Sequence, residues 1–166
     1  MIWHQLLARA DLLLVWGFIA TAALTTILYG SQGMGLSRLS LPLLVGTLVT
    51  GNRHRAAILG FAAYLIGGWL FAAFYFALFA SVGGGSWWLG GLVGGLHALF
   101  LLSAVLPILP HMHPRMATEY DGPTSKRRLE PPGFLALNYG RSTPATTILG
   151  HALYGAVLGA GYGLGG

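Results

Sequence analysis

The sequence predicts an all-α membrane protein of four transmembrane helices, built as two tandem two-helix repeats with a short interfacial segment before the second helix of each. Three observations carry this. Hydrophobic residues make up 55% of the 166-residue chain and charged residues 8%, against about 25% charged in soluble domains, too little charge to cover a water-facing surface. Four stretches free of Asp, Glu, Lys and Arg, Leu12–Gly30, Ile58–Ala80, Trp87–Leu109 and Pro144–Gly163, approach or exceed the roughly 20 residues that cross a bilayer. Eight of the nine basic residues lie in two loops that a four-helix chain places on one side of the membrane.

The helix ends carry ordinary signals. Asp11 and Ser86 suit N-caps, and Thr143-Pro144 reads as a cap followed by a first-turn proline. Ala20-Thr21-Ala22 has the small-x-small form of a signal cleavage site, but the apolar run continues to Tyr29, so the first stretch reads as a retained helix. Pro107 and Pro110 are expected to end the third helix. Trp87 and Trp88 suit a membrane–water interface.

The basic residues set the orientation. Arg38, Arg53 and Arg55 follow the first helix; Arg115, Lys126, Arg127, Arg128 and Arg141 follow the third; the turn Ser81–Ser86 has no charge. By the positive-inside rule the loops at about 31–57 and 110–143 are cytoplasmic and both termini lie outside. The net charge of +5 is thereby a topology signal, not a nucleic-acid footprint. The chain reads as a single membrane domain over 1–166, with repeat 1 at about 9–80 and repeat 2 at about 86–163.

The repeat shows as an ungapped match of Gly46 through Tyr75 onto Gly133 through Tyr162, offset by 87 residues. Its stations are Gly46/Gly133, Tyr64/His151, Gly68/Gly155, Ala72/Gly159 and Tyr75/Tyr162. Each copy opens with a short apolar segment after a proline, Pro42 or Pro132, expected to lie in the interface or re-enter shallowly. An even number of helices per unit makes the two copies point the same way.

Glycine is abundant, 26 of 166 residues, and spaced in fours. Gly90 and Gly94 share a helical face with His97, and Gly155 and Gly159 share one with His151; Gly68 and Ala72 lie with Tyr64 on the second helix. Such stripes remove side chains and let helix backbones approach, within the chain, between copies or against partner subunits.

Histidine in hydrocarbon is costly unless partnered. His97 and His151, with Tyr64, are the residues that would hold a cofactor such as haem, carry protons, or hydrogen-bond structurally within the bundle. Counted at 1.5 Å per residue they lie about 18 and about 11 Å from the cytoplasmic end, an awkward stagger for one haem iron. His111, His113 and Met116 resemble a copper or zinc ligand set by residue type. Lys126, Arg127 and Arg128 suit anionic lipid headgroups. The carboxylates, Asp11, Glu119, Asp121 and Glu130, all lie outside the four stretches, so no pair serves acid–base work inside the membrane. The absence of cysteine excludes disulfides and thiolate sites.

Arg38-Leu39-Ser40-Leu41-Pro42, Gly46-Thr47, Gly68-Trp69-Leu70-Phe71-Ala72 and His113-Pro114-Arg115-Met116-Ala117 form a recurring set with Leu129-Glu130-Pro131-Pro132-Gly133-Phe134, Asn138-Tyr139-Gly140, His151 and Tyr154-Gly155. Together they resemble a family of small bacterial four-helix membrane proteins. The resemblance spans nearly all the chain beyond the first helix, implies residence in the bacterial inner membrane, and carries over no catalytic residue. Three roles stay open: a non-catalytic accessory or scaffold subunit, a small pore or carrier lined by His97, His151, Tyr64 and the threonines of the first helix, and a histidine-ligated haem or copper protein.

Overall fold

The computed structural model describes residues 8–118, 120 and 122–165; Glu119 and Asp121, placed by the sequence in the second loop, lie outside the described residues. The elements are α1 (Ala10–Gly33), α2 (Leu41–Val49), α3 (Arg53–Ser81), α4 (Trp87–Met112), a short 3-10 segment (Phe134–Tyr139) and α5 (Thr143–Leu164). Among the described residues the fold is all-helical apart from one isolated β-bridge, Met116 to Leu129.

Helices α1, α3 and α4 are long and apolar enough to cross a membrane. Helix α5 is 22 residues long and uncharged, but its glycines, tyrosines and His151 leave it less apolar than those three. The other helices overrun the expected ends, α3 by a polar first turn containing Arg53 and Arg55.

Pro107 and Pro110 do not stop α4, contrary to expectation. A π turn at Leu101–Val105 precedes them, with the Leu106 N–H donating to the Leu101 carbonyl, and the helix runs on to Met112. The wider turn shifts the carbonyl that the Pro107 ring would otherwise strike.

The two short segments also differ from each other. The first is a regular helix, α2, opened by Ser40 accepting from the Leu43 N–H, with Pro42 in its first turn. It lies so close to α3 that a Cβ on Gly60 would fall 1.8 Å from the Pro42 carbonyl. The second is a tight turn in which Leu135 and Ala136 take left-handed backbone angles (φ 54° and 57°), at about 1–2 kcal/mol each. Its bonds hold it there. The Asn138 side chain donates to the Pro131 carbonyl at 3.0 Å, the Tyr139 hydroxyl donates to the Glu130 carbonyl at 2.7 Å, and the Arg38 N–H donates to the Tyr139 carbonyl at 2.7 Å. Gly133 sits at φ 70° with the Asn138 carboxamide where a Cβ would go. Gly133, Asn138 and Tyr139 of the Pro131–Gly140 motif thus each have a part in holding the turn. Burial, then the Glu130 carboxylate, pushes the Tyr139 phenol up to about 12, so it remains a donor.

Two compact units divide the chain. One takes Met1–Ile27, Leu65–Ala98 and Ile148–Gly166; the other takes Leu28–Tyr64 and Leu99–Thr147. In the first, Gly17 and Thr21 of α1 meet Ala72 and Gly68 of α3, and the Trp69 indole N–H donates to the Leu14 carbonyl at 3.0 Å. On the other side Ser86, just before α4, and Gly90 and Gly94 of α4 meet Gly159, Gly155 and His151 of α5, backbone on backbone. Arg9, the one basic residue outside the two loops, donates to the Tyr162 carbonyl and stacks 4.3 Å from its ring, neutralising the negative end of α5.

Candidate functional site

Two histidines meet inside the first unit. His97 on α4 and His151 on α5 meet edge to face, ring centroids 5.0 Å apart. The cause is local: Gly94 lies one turn before His97, and an added Cβ there would be 2.0 Å from the His151 carbonyl. Only glycine lets the two backbones come this near, and the rings one turn along then reach each other. The stagger counted along the helices from their cytoplasmic ends does not keep the rings apart.

Tyr75 of α3 completes the cluster. Its hydroxyl and His97 Nδ1 share a hydrogen bond at 3.3 Å, the donor set by the tautomer. Phe71 covers the other side of the His97 ring at 4.4 Å. Tyr154 of α5 stands edge-on to Tyr75 at 5.6 Å and donates through its hydroxyl to the Gly68 carbonyl at 2.6 Å. His151 is 3% exposed and Tyr75 1%; His97 is half-buried. Two imidazoles and two phenols thus converge where apolar helices surround them.

Tyr64, grouped with the histidines from sequence, is half-buried on the part of α3 that belongs to the second unit. The phenol that reaches His97 is Tyr75, three helical turns further on the same stripe, and the sequence marked it only as a repeat station. Phe71 and Tyr154 carried no signal beyond aromaticity. The threonines of α1 are no polar lining. Thr21, Thr25 and Thr26 donate back to the carbonyls of Gly17, Thr21 and Ala22 at 2.6–2.9 Å, satisfying themselves on their own helix.

The haem reading does not fit this arrangement. A macrocycle held between two imidazoles needs clear space between their facing nitrogens, and 5.0 Å between ring centroids, with backbones in contact one turn away, leaves none. Among the described residues no group of three His, Cys, Asp or Glu side chains stands together as a metal set.

His111, His113 and Met116 do not converge. His113, 1% exposed, accepts the Arg115 N–H on Nδ1 at 3.1 Å; its Nε2 faces the Leu44 carbonyl at 3.1 Å and the Thr47 hydroxyl at 3.2 Å. Both nitrogens are used within the protein. Burial lowers its pKa, a bond to the Leu44 carbonyl opposes this, and the Arg115 charge adds to the lowering, so the ring is neutral. His111 is exposed and lines a separate cavity of about 280 Å³ with Pro107, Tyr120 and Phe134. Met116 is fully buried beside Leu129. Lys126 and Arg128 are exposed and Arg127 half-buried.

Comparison with protein-family models, curated proteins and solved structures gives no match.

Proposed function

We propose that this chain is a four-span protein of the bacterial inner membrane that works as a small proton-responsive carrier or conduit, with His97, His151 and Tyr75 as its working groups. The observation that carries the reading is the His97–His151 pair at 5.0 Å with the Tyr75 hydroxyl on His97 Nδ1. An imidazole has one nitrogen to receive a proton and one to release it. Placed inside apolar helices, such a pair marks a proton or polar-solute path by default.

Helix α5 supplies the fourth span on this reading: its 22 residues, about 33 Å of helix, carry no charge. The two-repeat organisation is supported by the pairing of helices. Gly17 and Thr21 cross Ala72 and Gly68, as Ser86 and Gly90 cross Gly159 and Gly155, so the same stations of α3 and α5 take the same kind of small-residue neighbour.

Reconstituted protein tests the reading. In vesicles containing a pH-sensitive dye, with a potassium gradient as driving force, the parent should relax an imposed pH step faster than His97→Phe/His151→Phe. Tyr75→Phe, which keeps the ring packing, should fall between them. Equal rates for all three rule the proton role out.

A second reading, an accessory subunit, draws on Gly67 and Gly95, where an added Cβ would meet nothing within 4 Å. Native mass spectrometry of gently extracted protein separates the two, since a stoichiometric heterologous subunit favours this one.

A further inference from the structure

The second unit contains a cavity of about 570 Å³ lined by Thr47, Gly51, Pro114, Arg115, Ser125, Lys126, Arg128 and Leu129. Three cations face one space, and among the described residues no carboxylate lines it. The one acidic side chain described in this loop region, Glu130, pairs with Arg38 at 2.9 Å instead.

The chain holds these cations together deliberately. The Met116–Leu129 bridge, with Ala117 N–H donating to the Leu129 carbonyl at 2.9 Å and Leu129 N–H to the Arg115 carbonyl at 3.0 Å, ties the two arms of the loop so that Arg115 and Arg128 line the same space. Arg115 is fixed by Nη1 donating to the Thr47 and Leu48 carbonyls at 2.7 and 3.1 Å, at the C-terminal end of α2, which leaves Nε and Nη2 for a ligand. The Arg128 Nε donates to the Ser125 carbonyl at 2.9 Å, leaving both terminal nitrogens. Like charges confined in one cavity repel unless an anion joins them, and forked guanidinium donors match phosphate oxygens. Pro114 and Leu129 give the cavity an apolar wall, and Pro114 is two residues beyond the last residue of α4, at the edge of a membrane-spanning helix.

We infer that this cavity binds a phosphate group, a lipid headgroup or a soluble phosphate, through Arg115, Lys126 and Arg128. The site is independent of the histidine cluster.

The test uses the full-length protein in uncharged detergent, titrated calorimetrically with dihexanoyl phosphatidylglycerol, with inorganic phosphate and with dihexanoylglycerol, which lacks the phosphate. A saturable isotherm is expected for a phosphate probe and none for dihexanoylglycerol. Lipid binding tighter than inorganic phosphate assigns the site to headgroups; equal or weaker lipid binding assigns it to soluble phosphates. Lys126→Gln/Arg128→Gln leaves the bridge and the Arg115 anchor in place and should weaken binding roughly fivefold per cation, about twenty-five-fold together. Arg53→Gln/Arg141→Gln removes the same charge from exposed positions outside the cavity and should change affinity less than twofold. Absence of saturable binding for both phosphate probes, or equal weakening in the two double variants, overturns the assignment.

Discussion

Replacing Gly94 by alanine tests the packing that creates the histidine pair. An added Cβ would lie 2.0 Å from the His151 carbonyl oxygen, 2.7 Å from its carbon and 2.9 Å from the Ala152 Cα. All three are backbone atoms, so no side chain can swing aside. Ordinary contact begins near 3.4 Å, so α4 and α5 must part by more than 1 Å at this crossing. Overpacking of this kind costs about 1–3 kcal/mol. Alanine also gains about 1 kcal/mol of helix propensity over glycine, and this part can be cancelled. At Gly95, the next residue, an added Cβ meets nothing within 4 Å, so Gly95→Ala takes the propensity gain without the clash. The two variants should therefore differ by about 1–3 kcal/mol, Gly94→Ala being the weaker. Unfolding by sodium dodecyl sulfate in mixed micelles, followed by circular dichroism, reads the difference. Equal midpoints would refute the backbone contact and, with it, the explanation of how His97 reaches His151.

Topology and pH give two further checks. Single cysteines at Ser125 and Gly84 should label from opposite faces of the membrane, Ser125 from the cytoplasm; labelling of both from one side removes the four-span arrangement. His113 is buried with its pKa held below the ordinary 6.5, so near and below that pH the unfolded chain takes up a proton that the folded one refuses. Its contribution to stability is complete above about 6.5 and is lost as pH falls toward the folded value. Stability of the parent should decline more steeply below that pH than that of His113→Gln, measured by the same denaturant titration; parallel curves would show that His113 does not titrate in this way.

The helices were legible because lipid-facing spans are written in composition: uncharged runs of spanning length with basic loops between them need no tertiary knowledge. The stripes were legible too, since four-residue spacing of glycine repeats on one helix face whatever it packs on. Sequence spacing did not reveal what each stripe meets. Gly90, Gly94, Gly155 and Gly159 are used between α4 and α5, and Gly68 and Ala72 between α3 and α1, so these stripes are occupied inside the chain. The continuation of α4 past Pro107 was hidden because a π turn leaves no composition signature. The ligand set His111, His113 and Met116 failed for a related reason. Near the end of a helix, residues two apart point to different surroundings, and His113 found its partners on α2, more than sixty residues away.

Close packing and polarity in this protein depend on each other. Between helices in lipid the hydrophobic effect supplies little attraction, and association rests on van der Waals contact and hydrogen bonds. Glycine at Gly90, Gly94 and Gly155 gives up side-chain burial for backbone contact, which also shortens the distance any polar side chain must bridge. His97 and His151 use that shortened distance, their rings 5.0 Å apart across α4 and α5, while one hydrogen bond joins α3 to α4 and another joins α5 to α3. A leucine at any of these glycines would replace both kinds of contact with an apolar one and leave a buried imidazole to find a new partner. In water that exchange could be offset by burial, whereas in hydrocarbon an apolar side chain gains little by moving from lipid to a helix neighbour. The arrangement of small residues around a few hydrogen-bonded rings is thus what a membrane interior favours when a polar centre must be held in a fixed place.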